Sequence, residues 1–154
     1  MTNSNPKILK LINIVDIVNS GVNKFEGEKN YIATGSLETN NIHDHVSVTY
    51  NSRPSRANME FNENDIIFAK MKDTEKVFLI DGETSKNLYS TGFAGLRIKE
   101  KNKILPKFLY FHVRSSVFQK EKNKKSGGAT QKAINNSKIK EFTSHVPQLK
   151  FKRK

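Results

Sequence analysis

The sequence contains no cysteine among its 154 residues. The chain can therefore form no disulfide bond, no thiolate metal site and no cysteine nucleophile. It also lacks any apolar run near the roughly 20 residues that a membrane-spanning helix requires. Residues 1–6 do not show the basic start and long apolar run of a signal peptide. Together these absences predict a cytoplasmic protein that does not contact a membrane.

Several enzyme motifs are missing as well. A common class of metal-dependent nucleases places a lysine two residues after an acidic metal ligand. None of the 15 Asp and Glu residues has lysine at that position. The eight glycines form no Gly-x-Gly cofactor loop, no P-loop and no Gly-x-Ser-x-Gly nucleophile elbow. These absences weigh against the enzyme classes named, and no cofactor is predicted.

Two histidines have a spacing that metal sites sometimes use. His43 and His45 could place two imidazoles on one face of a strand. Zinc prefers four ligands, and the sequence supplies neither a cysteine nor an evident third ligand. We therefore interpret both histidines as surface polar residues beside a strand and predict no metal site.

The charge is strongly positive and unevenly distributed. The chain has 27 Lys and Arg residues against 15 Asp and Glu residues, which gives a net charge of +12. Residues 120–154 carry eleven of these basic residues and only two glutamates, so they contribute nine of the twelve net charges. A local basic cluster favours a polyanion as partner, either nucleic acid or an acidic membrane face. A soluble basic protein with no such partner, or a ribosomal-type protein, would have the same composition.

The hydrophobic pattern predicts an α+β fold with a curved, mixed β-sheet and a few short helices. Residues 7–19 predict a short helix that passes into a strand, and Pro106 predicts the start of a helix over 106–118. Gly92 and Gly95 are expected to allow close backbone approach within a strand. No internal repeat or linker divides the chain. Strands are predicted at residues 30–33, 45–50, 66–69, 77–80 and 91–98.

Five segments of the chain resemble, in the same order, the target-recognition domain of the DNA specificity subunit of type I restriction-modification enzymes. One of them, residues 64–71, is similar to the family's Gly-Asp-Ile-Leu-Phe strand, with Asn64 in place of the usual glycine. The stretch from Gly127 to Lys140 resembles the family's most recognisable loop. The five matching segments are residues 11–21, 64–71, 90–97, 106–118 and 127–140.

The resemblance implies a function and a set of partners. The family's subunit carries two such domains, and each reads one half of a split site in double-stranded DNA. Long helices between the domains dock methyltransferase subunits, while partner subunits carry out methylation and cleavage. The resemblance therefore implies a specificity module without catalytic activity of its own. Residues 146–150 match the point where the family enters its spacer helix. We therefore expect one recognition domain over residues 1–149, followed by a basic tail at 150–154 that begins a missing spacer helix. Assembly with methyltransferase and restriction subunits would require that helix.

The polar loops at residues 34–40, 53–56, 70–76 and 124–135 are the predicted DNA face. Arginine forks pair with guanine, Asn and Gln pair with adenine, and lysines mostly meet phosphates. Arg53, Arg56 and Gln131 are predicted to read base edges, and Lys70, Lys72, Lys125 and Lys132 to contact phosphates. The same loops add further candidate DNA-binding residues, namely Ser36, Thr39, Asn40, Lys124, Thr130 and Asn135.

Three other functions remain open at this point. An RNA-binding or ribosome-associated protein would share the basic charge but would need aromatic side chains for base stacking. A fragment of a nuclease or methyltransferase, or an antagonist that blocks intact specificity subunits, would also fit a shortened domain. On the main reading the protein is cytoplasmic and associated with the nucleoid when it is bound to DNA.

Overall fold

A computed structural model describes residues 8–101, 103–128, 130 and 132–147 of the chain. The described residues form short strands and short helices, which confirms the predicted α+β class. The strands are β1 Ile8–Lys10, β2 Val15–Ile17, β3 Glu28–Ile32, β4 Leu37–Glu38, β5 Asn41–Ile42, β6 Val46–Thr49, β7 Ala57–Met59, β8 Ile66–Ala69, β9 Val77–Leu79, β10 Leu88–Ser90, β11 Phe93–Ile98 and β12 His145–Pro147. The helices are α1 Leu11–Ile14, α2 Pro106–Arg114, α3 Ser116–Lys124 and α4 Asn136–Ile139.

The strands are divided between two four-stranded sheets and two short ribbons. The first sheet is antiparallel and has the order β2-β11-β8-β9. The second has the order β6-β3-β10-β7 and is mixed, because β3 and β10 run parallel while the other pairs are antiparallel. The ribbons pair β1 with β12 and β4 with β5. The mixed pairing was predicted, whereas the division into two sheets was not.

The first sheet separates two hydrophobic cores. Strand β8 shows this most clearly, because all four of its residues are buried and successive side chains point to opposite faces. Ile66 and Phe68 pack into the core on the helical side, whereas Ile67 packs into the core shared with the mixed sheet. A strand covered on both faces is continuously apolar, which explains why this segment was predicted correctly.

The predicted helix over residues 106–118 is in fact two helices. Helix α2 begins at Pro106, as predicted, but Ser115 adopts an extended conformation with φ −67° and ψ 155°. The Ser115 hydroxyl accepts a hydrogen bond from the Phe118 backbone N–H at 3.3 Å and so caps α3. Helix α3 then carries the chain through Lys124, a region that the sequence had left outside any helix.

The other predicted elements agree with the structure to within a few residues. The short helix α1 leads directly into β2, as the pattern of residues 7–19 predicted. Predicted strands at 30–33, 45–50, 66–69, 77–80 and 91–98 correspond to β3, β6, β8, β9 and β11. Among the described residues, no helix has the length and apolar character needed to cross a membrane.

Candidate nucleic-acid interface

A groove of about 370 Å³, which we call the basic groove, lies where five loops meet. One wall is the turn between β8 and β9, and a second is the turn between β10 and β11. The remaining walls are the loops that follow β3, precede β7 and precede α4. The lining residues used below are Thr34, Arg56, Lys70, Lys76, Gly92 and Ala133.

Backbone hydrogen bonds tie these loops to one another. The Lys70 N–H donates to the Gly92 carbonyl at 2.9 Å, and the Thr91 N–H donates to the Arg56 carbonyl at 2.9 Å. On the other side, the Ile134 N–H donates to the Lys70 carbonyl at 3.0 Å. Because each loop is bonded to a neighbour, the backbone positions from which the cations extend are fixed relative to one another.

Four lysines serve the groove in different ways. Lys76 is half-buried, and its ammonium donates to the Thr34 carbonyl at 2.8 Å, so it joins two of the loops. The Lys72 N–H donates to the Lys132 carbonyl at 2.8 Å, which brings the backbones of these two residues together. Lys70 lines the groove and is half-buried, and this burial lowers the pKa of its ammonium. Lys70 thus offers positive charge in the groove, and the exposed Lys132 lies next in the chain to Ala133, which lines it.

The two arginines predicted to read bases differ in their surroundings. Arg53 donates through Nε to the Ala57 carbonyl at 3.2 Å and through Nη1 to the Tyr50 carbonyl at 2.6 Å. Its guanidinium carbon also lies 4.1 Å from the centre of the Tyr50 ring. Arg56 is exposed and lines the basic groove beside Gly92. Arg56 therefore has more of its donor fork available than Arg53.

Three predicted residues near the C-terminal end of the described chain have local partners. Lys124 is exposed on α3, whereas the Lys125 ammonium pairs with the Glu121 carboxylate at 2.9 Å. The Asn135 side chain accepts a hydrogen bond from the Lys138 backbone N–H at 3.0 Å and caps α4. Part of the predicted phosphate-binding charge is thus paired within the protein.

The remaining predicted residues lie away from the groove or outside the described residues. Ser36 ends the turn that begins at Thr34, and Thr39 and Asn40 are exposed at the β4–β5 turn. Thr39 lines a separate cavity of about 150 Å³ beside α2 and α3. Thr130 is exposed. Gln131 and the 150–154 tail lie outside the described residues, so their predicted roles stay predictions.

Some residues of the groove were not singled out from the sequence. Thr34 and Lys76 lie at the ends of two predicted loops, but nothing in their pattern distinguished them from neighbouring polar residues. Gly92 was expected to allow close approach, and this is confirmed, since a Cβ there would lie 2.7 Å from Thr34 Cγ2. Lys122 was missed as a buried residue. The available signal was its helical spacing of four residues after the buried Phe118.

A larger cavity of about 660 Å³ lies along β2, an edge strand of the first sheet, and its cations are mostly paired. Arg97 forms a bidentate pair with the buried Asp65, at 3.0 Å and 2.8 Å. Lys99 lies 3.9 Å from Asp16. This cavity therefore offers an anion less available charge than the basic groove.

The two histidines considered as metal ligands are both exposed, as predicted. His43 Nε2 lies 3.7 Å from the Glu38 carboxylate. No group of three His, Cys, Asp or Glu side chains suited to a metal occurs in the part of the chain that the structure describes.

Comparisons with known proteins agree with the resemblance seen in the sequence. A family model described as the type I restriction modification DNA specificity domain matches residues 10–154. Three solved structures cover 96–97% of the chain. One comes from a study of complex assembly and conformational transition of the type I R-M system, with a TM-score of 0.76 and 16% identity. The HsdS subunit from Thermoanaerobacter tengcongensis gives 0.77 and 17%, and a type I restriction-modification S subunit from M. genitalium gives 0.54 and 18%.

These solved chains are much longer than the present one, which spans only 36–39% of their length. At 16–18% identity, the likeness establishes the fold. No curated protein matches the chain.

Proposed function

We propose that this chain, which belongs to the family of type I restriction modification DNA specificity domains, binds double-stranded DNA and recognises a specific sequence. The observation that carries the proposal is the basic groove, where five loops joined by hydrogen bonds bring Arg56, Lys70 and Lys76 to one site. A fixed set of donors is what base reading requires, because each donor must meet a particular acceptor on a base edge.

Different roles follow from the different side chains. Arg56 is exposed and has a planar donor fork, so it is the candidate for a guanine edge in the major groove. Lys70, Lys72 and Lys132 are the candidates for phosphate contacts, which fix the register of the protein on DNA without reading sequence. Arg53 remains a candidate base reader, although its guanidinium already has two backbone partners.

Duplex DNA fits the groove better than single-stranded RNA does. Sequence-specific binding of single strands uses aromatic rings on which unstacked bases lie. The lining of the basic groove consists of aliphatic, hydroxyl and basic residues with glycines, and it includes no aromatic side chain among the described residues. This supports a partner whose bases stay stacked.

We further propose that the domain reads one half of a bipartite site and has no catalytic role of its own. The chain spans 39% of two of the solved chains it resembles, which is consistent with one recognition unit of a longer protein. Methylation and cleavage would then belong to partner methyltransferase and restriction subunits. In this role the domain would be found on DNA, in the cytoplasm and nucleoid.

Selection from a random duplex library tests the proposal directly. We expect enrichment of one half-site of about three to four base pairs, the span that a single reading element typically covers. Competition with single-stranded RNA should leave the enriched complex intact. Uniform recovery of all sequences would contradict sequence recognition, and displacement by RNA would favour the RNA-binding alternative.

Two variants would then assign roles within the groove. Arg56→Ala should cost about 1–3 kcal/mol on the selected duplex and relax the preference at one base pair. Lys132→Ala should weaken binding to all duplexes and reduce the salt slope by about one. Lys107→Ala is the matched control, because Lys107 is an exposed lysine on α2 that does not line the groove.

A further inference from the structure

Lys122 is a fully buried lysine whose ammonium is hydrogen-bonded within the protein. Its side chain extends from α3 toward the turn between β8 and β9, and its residue has 0% exposure. The ammonium donates to the Met71 carbonyl at 2.7 Å and to the Thr74 carbonyl at 2.9 Å. Buried cations are retained when they are hydrogen-bonded, because an unpaired one is strongly destabilising. These two carbonyls are thus the described partners that compensate its burial.

The neighbouring residue on α3 holds the same turn at a second point. The Asn123 side-chain oxygen accepts a hydrogen bond from the Asp73 backbone N–H at 2.8 Å. Asp73 has φ +63°, a left-handed conformation that is uncommon for residues other than glycine. Lys122 and Asn123 therefore form hydrogen bonds with three residues of one turn, Met71, Asp73 and Thr74.

The turn that they hold is a wall of the basic groove. Lys70, Met71, Thr74 and Lys76 all line the groove, and the Lys72 N–H is bonded to Lys132 on the opposite loop. A shift of the turn would therefore move the candidate phosphate contacts relative to the other loops. Errors near 1 Å in such positions are enough to weaken recognition strongly.

We propose that Lys122 and Asn123 are positioning residues for DNA binding, which fix the 70–76 turn so that it presents Lys70 and Lys72 to the phosphates without touching DNA themselves. This inference rests on the proposed function of the basic groove. The proposed role of Lys122 differs from that of the exposed lysines of α3, Lys120 and Lys124, which can affect DNA binding only through their own charge.

The dependence of affinity on salt distinguishes positioning from direct contact. A lysine that neutralises a phosphate contributes about one unit to the salt slope, and its removal reduces the slope by that amount. Lys122→Met keeps the length and apolar stem of the side chain but removes its donors. We expect about tenfold weaker binding to the selected duplex, with the slope reduced only as far as Lys70 and Lys72 lose their phosphate contacts. When Lys122→Met is added to a Lys70→Ala, Lys72→Ala variant, neither the affinity nor the slope should fall further. Lys107→Met, a matched change at an exposed lysine of α2, should leave both quantities close to those of the native protein.

Three outcomes of this titration overturn the proposal. A further slope reduction of about one when Lys122→Met is added to the Lys70→Ala, Lys72→Ala variant would mean that Lys122 itself contacts a phosphate. Native affinity in a folded Lys122→Met would mean that the turn does not need the lysine. An equal loss of affinity in Lys107→Met would mean that net charge alone is responsible.

Hydrogen exchange on the free protein tests the same idea without DNA. In Lys122→Met and in Asn123→Ala, the Asp73 amide should exchange at least tenfold faster, whereas amides paired between β8 and β11 should keep their protection. If the native protein fails to select any duplex, the proposed function fails, and this exchange pattern still decides whether the two residues hold the turn. Uniformly faster exchange across both strands would show a general loss of stability and would refute a positioning role.

Discussion

Two glycines three residues apart offer a matched test of the basic groove against the core. A Cβ added at Gly92 would lie 2.7 Å from Thr34 Cγ2 and 3.0 Å from Arg56 Nη2, both in the groove. A Cβ added at Gly95 would lie 2.4 Å from Cε1 of Phe61, a core ring with 2% exposure. The same chemical change, glycine to alanine, therefore meets a half-buried threonine methyl and an exposed arginine at one position and a packed ring at the other.

The size of each effect follows from the atoms that must move. Carbon atoms in contact normally sit about 3.5–4.0 Å apart, so the Phe61 ring would have to shift by roughly 1 Å within a packed core. Overpacking of this kind costs about 1–3 kcal/mol, reduced by the about 0.4–1 kcal/mol that alanine gains through a less flexible unfolded chain. Gly95→Ala should therefore lower the free energy of unfolding by about 1–2 kcal/mol.

At Gly92 two side chains that line the groove must move, the half-buried Thr34 methyl by roughly 1 Å and the exposed Arg56 guanidinium by less. The free energy of unfolding should change by less than about 1 kcal/mol. Displacement of the Arg56 fork should cost a bidentate base contact, which is worth about 1–3 kcal/mol and corresponds to a loss of roughly tenfold or more in affinity.

Urea unfolding and fluorescence anisotropy with the selected duplex, both at one fixed salt concentration, measure the two quantities separately. We expect Gly92→Ala to lose affinity with near-native stability, and Gly95→Ala to lose stability while its folded fraction binds normally. The reasoning is refuted if Gly92→Ala binds as the native protein does, or if the two variants lose stability and affinity in parallel.

Three further changes test other parts of the structure. Arg97→Ala should destabilise the protein by about 3–5 kcal/mol in urea unfolding, because it leaves the Asp65 carboxylate buried at 1% exposure without its charged partner. Asp65→Ala should cost less, since the Arg97 side chain is 39% exposed and can be hydrated. A larger loss of stability in Asp65→Ala than in Arg97→Ala would contradict this account. Burial lowers the pKa of Lys122 from 10.5 to about 8, although the nearby Asp73 and Glu75 carboxylates act to raise it. Between pH 8 and pH 10.5 the unfolded chain therefore holds a proton that the folded protein has released. The free energy of unfolding should thus rise with pH from about 8 to 10.5, by about 1.4 kcal/mol per pKa unit at most. This contribution should be absent from the Lys122→Met curve, so the difference between the native and Lys122→Met curves measures it. Glu121→Gln should lower the melting temperature by several degrees, because the Glu121 carboxylate accepts hydrogen bonds from the Thr143 N–H at 2.7 Å and from the Lys125 ammonium. A change of this size corresponds to roughly 1 kcal/mol or more in a domain of this length. An unchanged melting temperature would show that water replaces these bonds.

The sequence was most informative where one local pattern determined the structure. Strand β8 was recognised because both of its faces are buried, and α2 because Pro106 suits the first turn of a helix. The break between α2 and α3 at Ser115 was missed, because the apolar spacing continues across it to the buried Phe118. Ser115 can be recognised as a helix cap only once the structure shows where α2 ends and α3 begins. The division into two sheets was missed for a related reason. Strand partners far apart in sequence, such as β3 and β10, leave no local signal.

The candidate site was foreseen as a set of loops but not as a set of side-chain roles. The sequence marks residues 34–40, 53–56, 70–76 and 124–135 as polar, and the basic groove draws lining residues from each of these four segments. It cannot show that Arg53 bonds its own loop, since this depends on where the Tyr50 and Ala57 carbonyls lie after folding. Such roles are fixed by tertiary geometry.

The positive charge illustrates why composition alone is a poor guide to a binding surface. Nine of the twelve net charges fall within residues 120–154, which suggested a basic face built from that segment. In the structure, Lys122 is buried against two carbonyls, Lys125 is paired with Glu121, and Lys138 lies 3.6 Å from Glu141. The lysines that line the groove come instead from the 70–76 turn, whose lysines are interspersed with Asp73 and Glu75. A cluster of cations in sequence therefore contributes to this fold partly as structural donors. Even in the groove the Lys76 ammonium donates to the Thr34 carbonyl, so Arg56 and Lys70 are the lining cations for which the described residues supply no carboxylate or carbonyl.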